Sequence, residues 1–125
     1  MARARVGRRT APGARCHIGA SAQSGYGWRL VAPNGRVVAV SAHGYPDFTA
    51  CRSAFEDLRA HHAAHVGAMQ HGPEANGWVW QLRSADGEAV AVAARPYERY
   101  STCRSAFGKF CALLESDVAI AIDAG

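Results

Sequence analysis

The chain has 125 residues, which is enough for one compact domain and too few for two. It contains no apolar run near the roughly 18 residues of a membrane-spanning helix, and its first residues lack the apolar stretch of a secretory signal. Five of the 14 basic residues lie in the first 15 positions, where no acidic residue occurs: Arg3, Arg5, Arg8, Arg9 and Arg15. The rest of the chain is close to neutral, which predicts a basic, disordered tail at residues 1–15 and one folded domain at residues 16–125.

The arginine-rich tail fits more than one role. Basic tails bind nucleic acid or anionic surfaces, so a nucleic-acid-associated protein is one alternative for the function. A solubilising or non-native leader also fits, and a mitochondrial transit sequence fits less well because the usual serine enrichment is missing. The four cysteines show no close pairing, which predicts free thiols and a cytoplasmic location.

The first strong structural signal is a hairpin over residues 26–42, where apolar residues alternate with the period of a half-buried strand. Pro33–Gly35 supplies the turn. A three-residue loop would place Leu30 opposite Val38 and gather the large apolar side chains on one face, whereas a two-residue loop would place Leu30 opposite Ala39. We predict the three-residue loop, a type I turn followed by a glycine in the left-handed conformation.

A helix is predicted after each of two such hairpins. Asp47 is a suitable N-cap for the first helix, and Ser101 for the second, because Arg99 occupies the position that corresponds to Asp47 and cannot cap. Apolar residues recur with helical spacing in both segments: Cys51, Ala54, Phe55, Leu58 and His62 in the first, and Cys103, Ala106, Phe107, Phe110 and Leu114 in the second. A short apolar segment, predicted as a strand, follows each helix.

Residues 28–58 recur at residues 80–110 with a constant offset of 52, and 13 of the 31 aligned positions are identical. Because a unit of about 50 residues buries too little apolar surface to fold alone, we expect the two copies to share a core. We therefore predict an α+β fold of two tandem β-β-β-α-β repeats, at about 16–68 and 65–125. They share one largely antiparallel sheet, with both helices packed on one face and a pseudo-twofold axis between the copies.

The order and spacing of these residues resemble the YegP-like family, a domain of unknown function, over about residues 16–122. The residues that carry the resemblance are Trp28, Leu30, Asn34, Gly35, Val37, Ala39, Ser41, Gly44, Tyr45, Ala50 and Cys51 in the first copy, and Trp80, Leu82, Gly87, Ala91, Tyr97 and Cys103 in the second. Ser53–Phe55 and Ser105–Phe107 stand where the family usually has Asn-Gly-Ile, which is typical of a divergent member. The resemblance implies a unit of three strands, a helix and a strand, used twice with the last strands exchanged, and it implies no catalytic residue.

Two groups of residues are candidates for chemistry. His61, His62 and His65 have a spacing that can hold zinc, but histidines also stabilise helix ends and the second copy has no equivalent, so no metal site is predicted. Cys51 and Cys103 fall on the apolar stripes, where a cysteine is a small buried hydrophobe rather than a nucleophile. No catalytic or cofactor motif is present, so no cofactor is predicted, and an enzyme of unrecognised type is the second alternative function.

Seven residues are candidate contacts for a partner. Arg52, Ser53, Arg104 and Ser105 are repeated without being required by the core, which makes them a candidate pair of contacts for an anionic partner, although an arginine stem can also simply cover a helix edge. The other three are Arg29, Gln81 and Arg83. They lie on the sheet face opposite the helices, which strand alternation predicts to consist of Arg29, Val31, Val37, Ala39 and Ser41 in the first copy, and Val79, Gln81, Arg83, Ala89, Ala91 and Ala93 in the second.

That face is predicted to be small, partly apolar and lightly basic, as a surface that binds a partner would be. Candidate partners are a second copy of the chain, a peptide or single-stranded nucleic acid, although the face lacks the aromatic platforms that favour nucleic acid. We predict a non-catalytic binding or interaction module that makes no contact with a membrane. The sequence leaves its partner, oligomeric state and biological role open.

Overall fold

The structure is a computed structural model, and it describes residues 13–20, 25–72 and 77–122. The arginine-rich tail lies outside these ranges except for its last three residues. The predicted order of elements is confirmed: β1 (Ala14–Ala20), β2 (Tyr26–Val31), β3 (Val37–Ser41), α1 (Phe48–His61), β4 (Val66–His71), β5 (Trp78–Arg83), β6 (Ala89–Ala93), α2 (Tyr100–Leu114) and β7 (Val118–Ile122). A 3₁₀ turn at His62–Ala64 follows α1. Because β1 begins at Ala14, Arg15 belongs to the sheet.

The seven strands form one open, mixed sheet in the order β4-β5-β6-β3-β2-β1-β7. All neighbours are antiparallel except β1 and β7, which run parallel, so the predicted largely antiparallel α+β fold is confirmed. The β3–β6 pair lies in the middle and joins the first three strands to the next three. Among the described residues, neither helix is long and apolar enough to cross a lipid bilayer.

Both helices cover the same face of the sheet, and the core lies between them and the strands. Helix α1 packs on β1 and β2, whereas α2 packs on β3, β4 and β5. Each half centres on an aromatic pair: the ring centroids of Trp28 and Phe55 are 5.1 Å apart, and those of Trp80 and Phe110 are 4.5 Å apart. Burial of these rings stabilises the contact between the layers, since large aromatic side chains remove much apolar surface from water.

The loop predicted for the hairpins is confirmed, but the predicted strand register is wrong. The N–H of Gly35 donates to the carbonyl of Ala32 at 2.9 Å, and Gly35 has a φ of 90°. However, Leu30 pairs with Ala39 instead of Val38, because a β-bulge at Val38 inserts one extra residue into β3. The second hairpin has the same three-residue loop and the same shift.

The bulge changes which residues face away from the helices. Ala39, Ser41, Ala91 and Ala93 were predicted on the uncovered face, but their strand partners place them on the helix side, and Ala39 and Ala91 are fully buried. An extra residue resets the alternation of side chains beyond it, which is why the prediction fails at these positions. The uncovered face is instead crossed by one row of paired residues: Ala121, His17, Arg29, Val40, Val92, Gln81 and Ala68.

The two helices begin differently. Asp47 caps α1 as predicted, accepting a hydrogen bond from the N–H of Ala50 at 2.8 Å. The predicted Ser101 cap is wrong, because α2 begins at Tyr100 with Arg99 as an N-cap residue that makes no side-chain hydrogen bond. Two backbone hydrogen bonds between Trp78 and Tyr97, one in each direction, fix the chain just before α2. The start of α2 is therefore set by this tertiary contact and not by a capping side chain.

Polar contacts join the end of α1 to the end of α2. The guanidinium of Arg59 donates to the carbonyls of Leu114 at 3.1 Å and Ser116 at 2.6 Å. The Nε2 atom of His62 lies 3.3 Å from the carboxylate of Glu115. A cation at the carbonyl end of a helix is favourable, so Arg59 stabilises the connection that leads from α2 into β7.

Candidate binding grooves

A groove lies on the helix side of the sheet between α2 and the β2–β3 hairpin, with a volume of about 510 Å³. We call it the basic groove. Its lining consists of the cations Arg36, Arg95 and Lys109, the polar residues Asn34, Tyr97, Thr102 and Ser105, and the apolar residues Ala32, Val38, Ala106, Ala112 and Leu113. Concave sites of this size, with an apolar floor and a few polar groups, are the usual form of ligand sites in proteins.

The three cations of the basic groove come from three different elements. Arg36 follows the hairpin loop, Arg95 follows β6, and Lys109 lies on the exposed side of α2. The guanidinium of Arg95 lies 5.0 Å from the centre of the Tyr97 ring, a cation–π contact that holds it in place. Within the described ranges, none of these three cations forms an ion pair. The groove therefore presents positive charge that the protein itself leaves uncompensated.

A second groove lies between α1 and the β5–β6 hairpin, with a volume of about 460 Å³. Its lining is Trp28, Tyr45, Ala54, Asp57, Leu58, His61, His65 and Val90. We call it the acidic groove, because it contains Asp57 and the adjoining hairpin loop carries Asp86 and Glu88. The carboxylate of Glu88 lies 4.0 Å from His43, and both side chains are largely exposed.

The two grooves are built at corresponding positions, and their charges are reversed. Asp57 of the acidic groove corresponds at the offset of 52 to Lys109 of the basic groove, and Glu88 corresponds to Arg36. Their floors match, since Tyr45, Ala54 and Val90 correspond to Tyr97, Ala106 and Val38. The fold thus presents two similar concave surfaces of opposite charge.

Local contacts favour the ionised form of Asp86 on the hairpin loop beside the acidic groove. A hydrogen bond from the Ser84 hydroxyl, followed in strength by one from the N–H of Glu88, lowers the pKa of Asp86. Burial raises the pKa of the Tyr45 hydroxyl, and the neighbouring Cys51 and Glu88 raise it further. Asp86 therefore stays ionised to a lower pH than an ordinary aspartate, while Tyr45 stays neutral.

The candidate contacts on the helices do not form one surface. Ser105 lines the basic groove, whereas Arg104 is exposed beside it and outside its lining. Arg52 pairs with Glu56 at 3.2 Å, an exposed contact one helical turn apart. Ser53 is exposed at the position that corresponds to Ser105. Of these four predicted residues, Ser105 lines the basic groove, and the other three are not among the described lining residues of either groove.

The other three candidate contacts lie on the uncovered face, as predicted. Arg29 and Gln81 belong to the row of paired residues that crosses the sheet. The guanidinium of Arg83 donates to the side-chain oxygens of Gln81 and Gln70, both at 3.0 Å. None of the seven strands contains an acidic residue, so this face is basic as well as partly apolar.

The three histidines near the end of α1 do not share a common set of contacts. His61 hydrogen-bonds through Nδ1 to the carbonyl of Asp57 at 3.1 Å, and His62 pairs with Glu115. His61 and His65 line the acidic groove. In the described parts of the chain, no three His, Cys, Asp or Glu side chains are grouped closely enough to hold a metal ion.

All four cysteines lie within the described ranges and are free thiols. Cys16, Cys51 and Cys103 are fully buried, which confirms the prediction that the repeated cysteines belong to the core. Burial raises the pKa of the Cys16 thiol to about 12 and that of Cys51 to about 11, and it also raises the pKa of Cys103. A thiol with a raised pKa is neutral at physiological pH and is a poor nucleophile.

The burial of the thiols predicts their reactivity. In the native protein near neutral pH, we expect a maleimide to label Cys111, which is half-buried, and to leave Cys16, Cys51 and Cys103 unlabelled. In denaturant, all four should be labelled. Mass spectrometry of the labelled protein counts the reacted thiols, and rapid native labelling of Cys51 or Cys103 would contradict a purely structural role.

Sequence reasoning missed the three cations of the basic groove. Arg36, Arg95 and Lys109 are far apart in the chain, and no local motif joins them. The sequence signal that could have found them is the set of positions at which the two copies differ in charge. Identical positions belong mostly to the shared core, whereas Arg36 is replaced by Glu88 in the second copy and Asp57 is replaced by Lys109. Only the fold shows that the reversed positions surround a groove.

These features define a class of α+β protein with one open seven-stranded sheet covered on one side by two helices. Two solved structures share this fold. The chain is similar to the E. coli protein YegP, of unknown function, with a TM-score of 0.69, 13% identity and coverage of 90% of this chain and 97% of that one. It is also similar to a UPF0339 protein of Shewanella oneidensis, with a TM-score of 0.67, 12% identity and coverage of 89% and 93%. No family model and no curated protein matches the sequence. The chain therefore has a YegP-like fold, and the neighbours assign no role to it.

Proposed function

We propose that the chain is a non-catalytic interaction module that binds an acidic peptide segment of a partner protein in its basic groove. The observation that carries this proposal is the convergence of Arg36, Arg95 and Lys109 on a groove in which no carboxylate is found among the described lining residues. Positive charge that is not balanced within the protein attracts an anionic ligand and speeds its association. Ser105, a candidate contact from the sequence, lies in the same lining.

The lining favours a peptide over a small inorganic anion. Apolar side chains, among them Val38 and Leu113, share the groove with the cations, and a compact anion would leave that apolar surface unused. A peptide can place carboxylates against the cations and apolar side chains against the floor, which combines charge with apolar burial. The hydroxyl groups of Thr102 and Ser105 are suited to hydrogen bonds with a peptide backbone.

A labelled peptide of alternating glutamate and leucine tests the proposal. We expect it to bind the wild-type chain at low ionic strength, and we expect Arg36→Glu or Lys109→Glu to raise its dissociation constant about tenfold, which is the loss of roughly 1.4 kcal/mol. Fluorescence anisotropy measures the binding. Both substituted residues are exposed, so the fold should be retained, and circular dichroism checks that it is.

Arg104→Glu is the matched control, because it makes the same change of charge on the exposed side of α2 but outside the groove. It should leave the dissociation constant nearly unchanged. An equal effect of Arg104→Glu would show that the peptide responds to the general charge of α2 and not to the groove. Equal binding of a peptide with lysine in place of glutamate would contradict recognition of acidic side chains.

A second candidate function is the binding of single-stranded nucleic acid by the arginine-rich tail together with the uncovered face. The observation that favours it is the absence of acidic residues from all seven strands, together with Arg15 and Arg29 on the two strands that follow the arginine-rich segment. Phosphate contacts from such cations give sequence-independent affinity. The row that crosses this face contains no Phe, Tyr or Trp on which bases could stack, which makes this candidate the weaker of the two.

Deletion of residues 1–12 tests the second candidate, since it leaves β1 intact. If the candidate is right, a labelled single-stranded oligonucleotide binds the full chain in a salt-dependent way and the deletion weakens it strongly, because several phosphate contacts are lost. Anisotropy titrations at low and high ionic strength measure the effect. No binding at low ionic strength would eliminate the candidate.

We further propose that the chain is a divergent, tandem-repeat member of the YegP-like family and acts in the cytoplasm. The matching loops, bulges and backbone bridges of the two halves support the duplication. The four free thiols support a reducing compartment. On this proposal, residues 16–125 are one domain, and the basic tail is an addition to it.

A further inference from the structure

We infer that a second copy of this chain is the partner of the basic groove, so that the basic groove of each copy binds the acidic hairpin loop and groove of the other. This inference rests on the proposed function and names its ligand. Its basis is the reversal of charge between two corresponding surfaces of one chain: Lys109 against Asp57, and Arg36 against Glu88.

The charges on the two sides are accessible to a partner. Arg36 and Lys109 are exposed, and within the described part of the chain neither forms an ion pair. On the other side, Asp57 is exposed in the acidic groove, and the side chain of Glu88, on the adjoining hairpin loop, is 67% exposed. Asp86, on the same loop, is fixed by hydrogen bonds from Ser84 and Glu88 that leave its charge facing solvent. Complementary charge of this kind selects the partner and sets the register of docking.

The positions of the grooves allow two copies to close on each other. Both grooves lie on the helix side of the sheet, at opposite ends of the central β3–β6 pair, because Val38 lines one groove and Val90 lines the other. When two copies meet with their helix sides facing and a twofold axis between them, each basic groove lies opposite an acidic one. The same contact then occurs twice, and neither of the two grooves is left open to add a third copy, so the assembly is a closed dimer.

The uncovered face is less suited to self-association. Its strands carry Arg15, Arg29 and Arg83 and no acidic residue, so two copies placed face to face would bring like charges together. The helix side instead offers both signs of charge. Because exposed ion pairs contribute little individually and are screened by salt, the dimer is expected to be weak and to dissociate as ionic strength rises.

Charge-reversed variants of the full chain test the inference by sedimentation equilibrium. The wild-type chain should dimerise at low ionic strength and become monomeric at high ionic strength. The variant with Arg36→Glu and Lys109→Glu, and the variant with Asp57→Lys and Glu88→Arg, should each raise the dimer dissociation constant about tenfold or more. All four residues are exposed, and thermal unfolding checks that each variant keeps its fold.

Two restorations make the test specific. An equimolar mixture of the two variants should form a heterodimer. In that pair, the glutamates introduced at positions 36 and 109 of one chain face the lysine and arginine introduced at positions 57 and 88 of the other. A single chain with all four substitutions should dimerise like the wild type. A wild-type chain that stays monomeric at low ionic strength, a reversed variant that dimerises normally, or a mixture that stays monomeric would each overturn the inference.

The outcomes separate this inference from the proposed function. If the wild-type chain is monomeric but binds the glutamate–leucine peptide through Arg36 and Lys109, the groove binds an acidic partner that is not a second copy. The variant with Asp57→Lys and Glu88→Arg keeps an intact basic groove. If the peptide fails to bind both this variant and the dilute, monomeric wild-type chain, the proposed function itself is wrong.

Discussion

Replacing Trp80 with alanine is expected to lower the free energy of unfolding by about 3–5 kcal/mol. The indole is fully buried, stacked on Phe110 and edge-on to Phe107 at 5.5 Å. Its removal leaves a cavity under α2 that rigid strands on the other side cannot fill. Since small domains are stable by only about 5–15 kcal/mol, this loss is a large fraction of the total. Urea unfolding followed by far-ultraviolet circular dichroism measures it.

Trp80→Phe is the informative control for that prediction. The indole N–H has no hydrogen-bond partner in the described structure, and a buried donor without a partner is costly. Phenylalanine keeps a ring against Phe110, removes the donor and leaves only part of the indole volume empty, so the expected loss is well below that of Trp80→Ala. Equal losses for the two substitutions would mean that the aromatic packing is not what stabilises this half of the core.

Replacing Gly77 with alanine is expected to destabilise the protein by about 3 kcal/mol or more, the range of strained or overpacked sites. Gly77 has a φ of 107°, a conformation that other residues rarely adopt. A β-carbon there would also collide with the backbone carbonyl of Tyr97, the group that accepts a hydrogen bond from Trp78 at 2.6 Å. Relief of the collision would break this bridge between the start of β5 and the segment before α2.

Gly87→Ala separates the collision from the strained backbone. Gly87 has a similar φ of 89°, but a β-carbon there meets nothing within 4 Å. Only the left-handed conformation is then penalised, and the expected loss is about 1 kcal/mol, as for a non-glycine residue in that region. Comparison of the two urea midpoints at equal m-values checks the difference. Similar losses at the two positions would show that the backbone bridge contributes little.

The sequence predicts most of the framework, because the framework depends on local patterns that occur twice. Alternation predicts the strands, helical spacing predicts the buried faces of α1 and α2, and Asp47 predicts where α1 begins. The three-residue loops follow from turn residues whose backbone preferences are strong. In each case a few neighbouring residues determine the structure.

What the sequence fails to predict depends on contacts between distant segments. The bulges at Val38 and Val90 arise where each valine packs against the core, and nothing in the alternation marks the extra residue. The grooves exist because each helix lies beside the hairpin of the other half. That arrangement brings Arg36 and Lys109 into the same groove, although they are far apart in the sequence. No local sequence pattern connects such distant residues, so the candidate site is found only once the fold is known.

The parallel pairing of β1 with β7 has a consequence for how the protein is made. Ala14 lies opposite Val118, so the first described strand receives its outer neighbour only after synthesis has passed β7. Until then, a nascent chain on the ribosome exposes the polar backbone edge of β1, which is prone to pair with other chains. Completion of the sheet therefore requires the last described strand, and the many long-range contacts of the sheet predict slower folding than that of a helical protein of equal length.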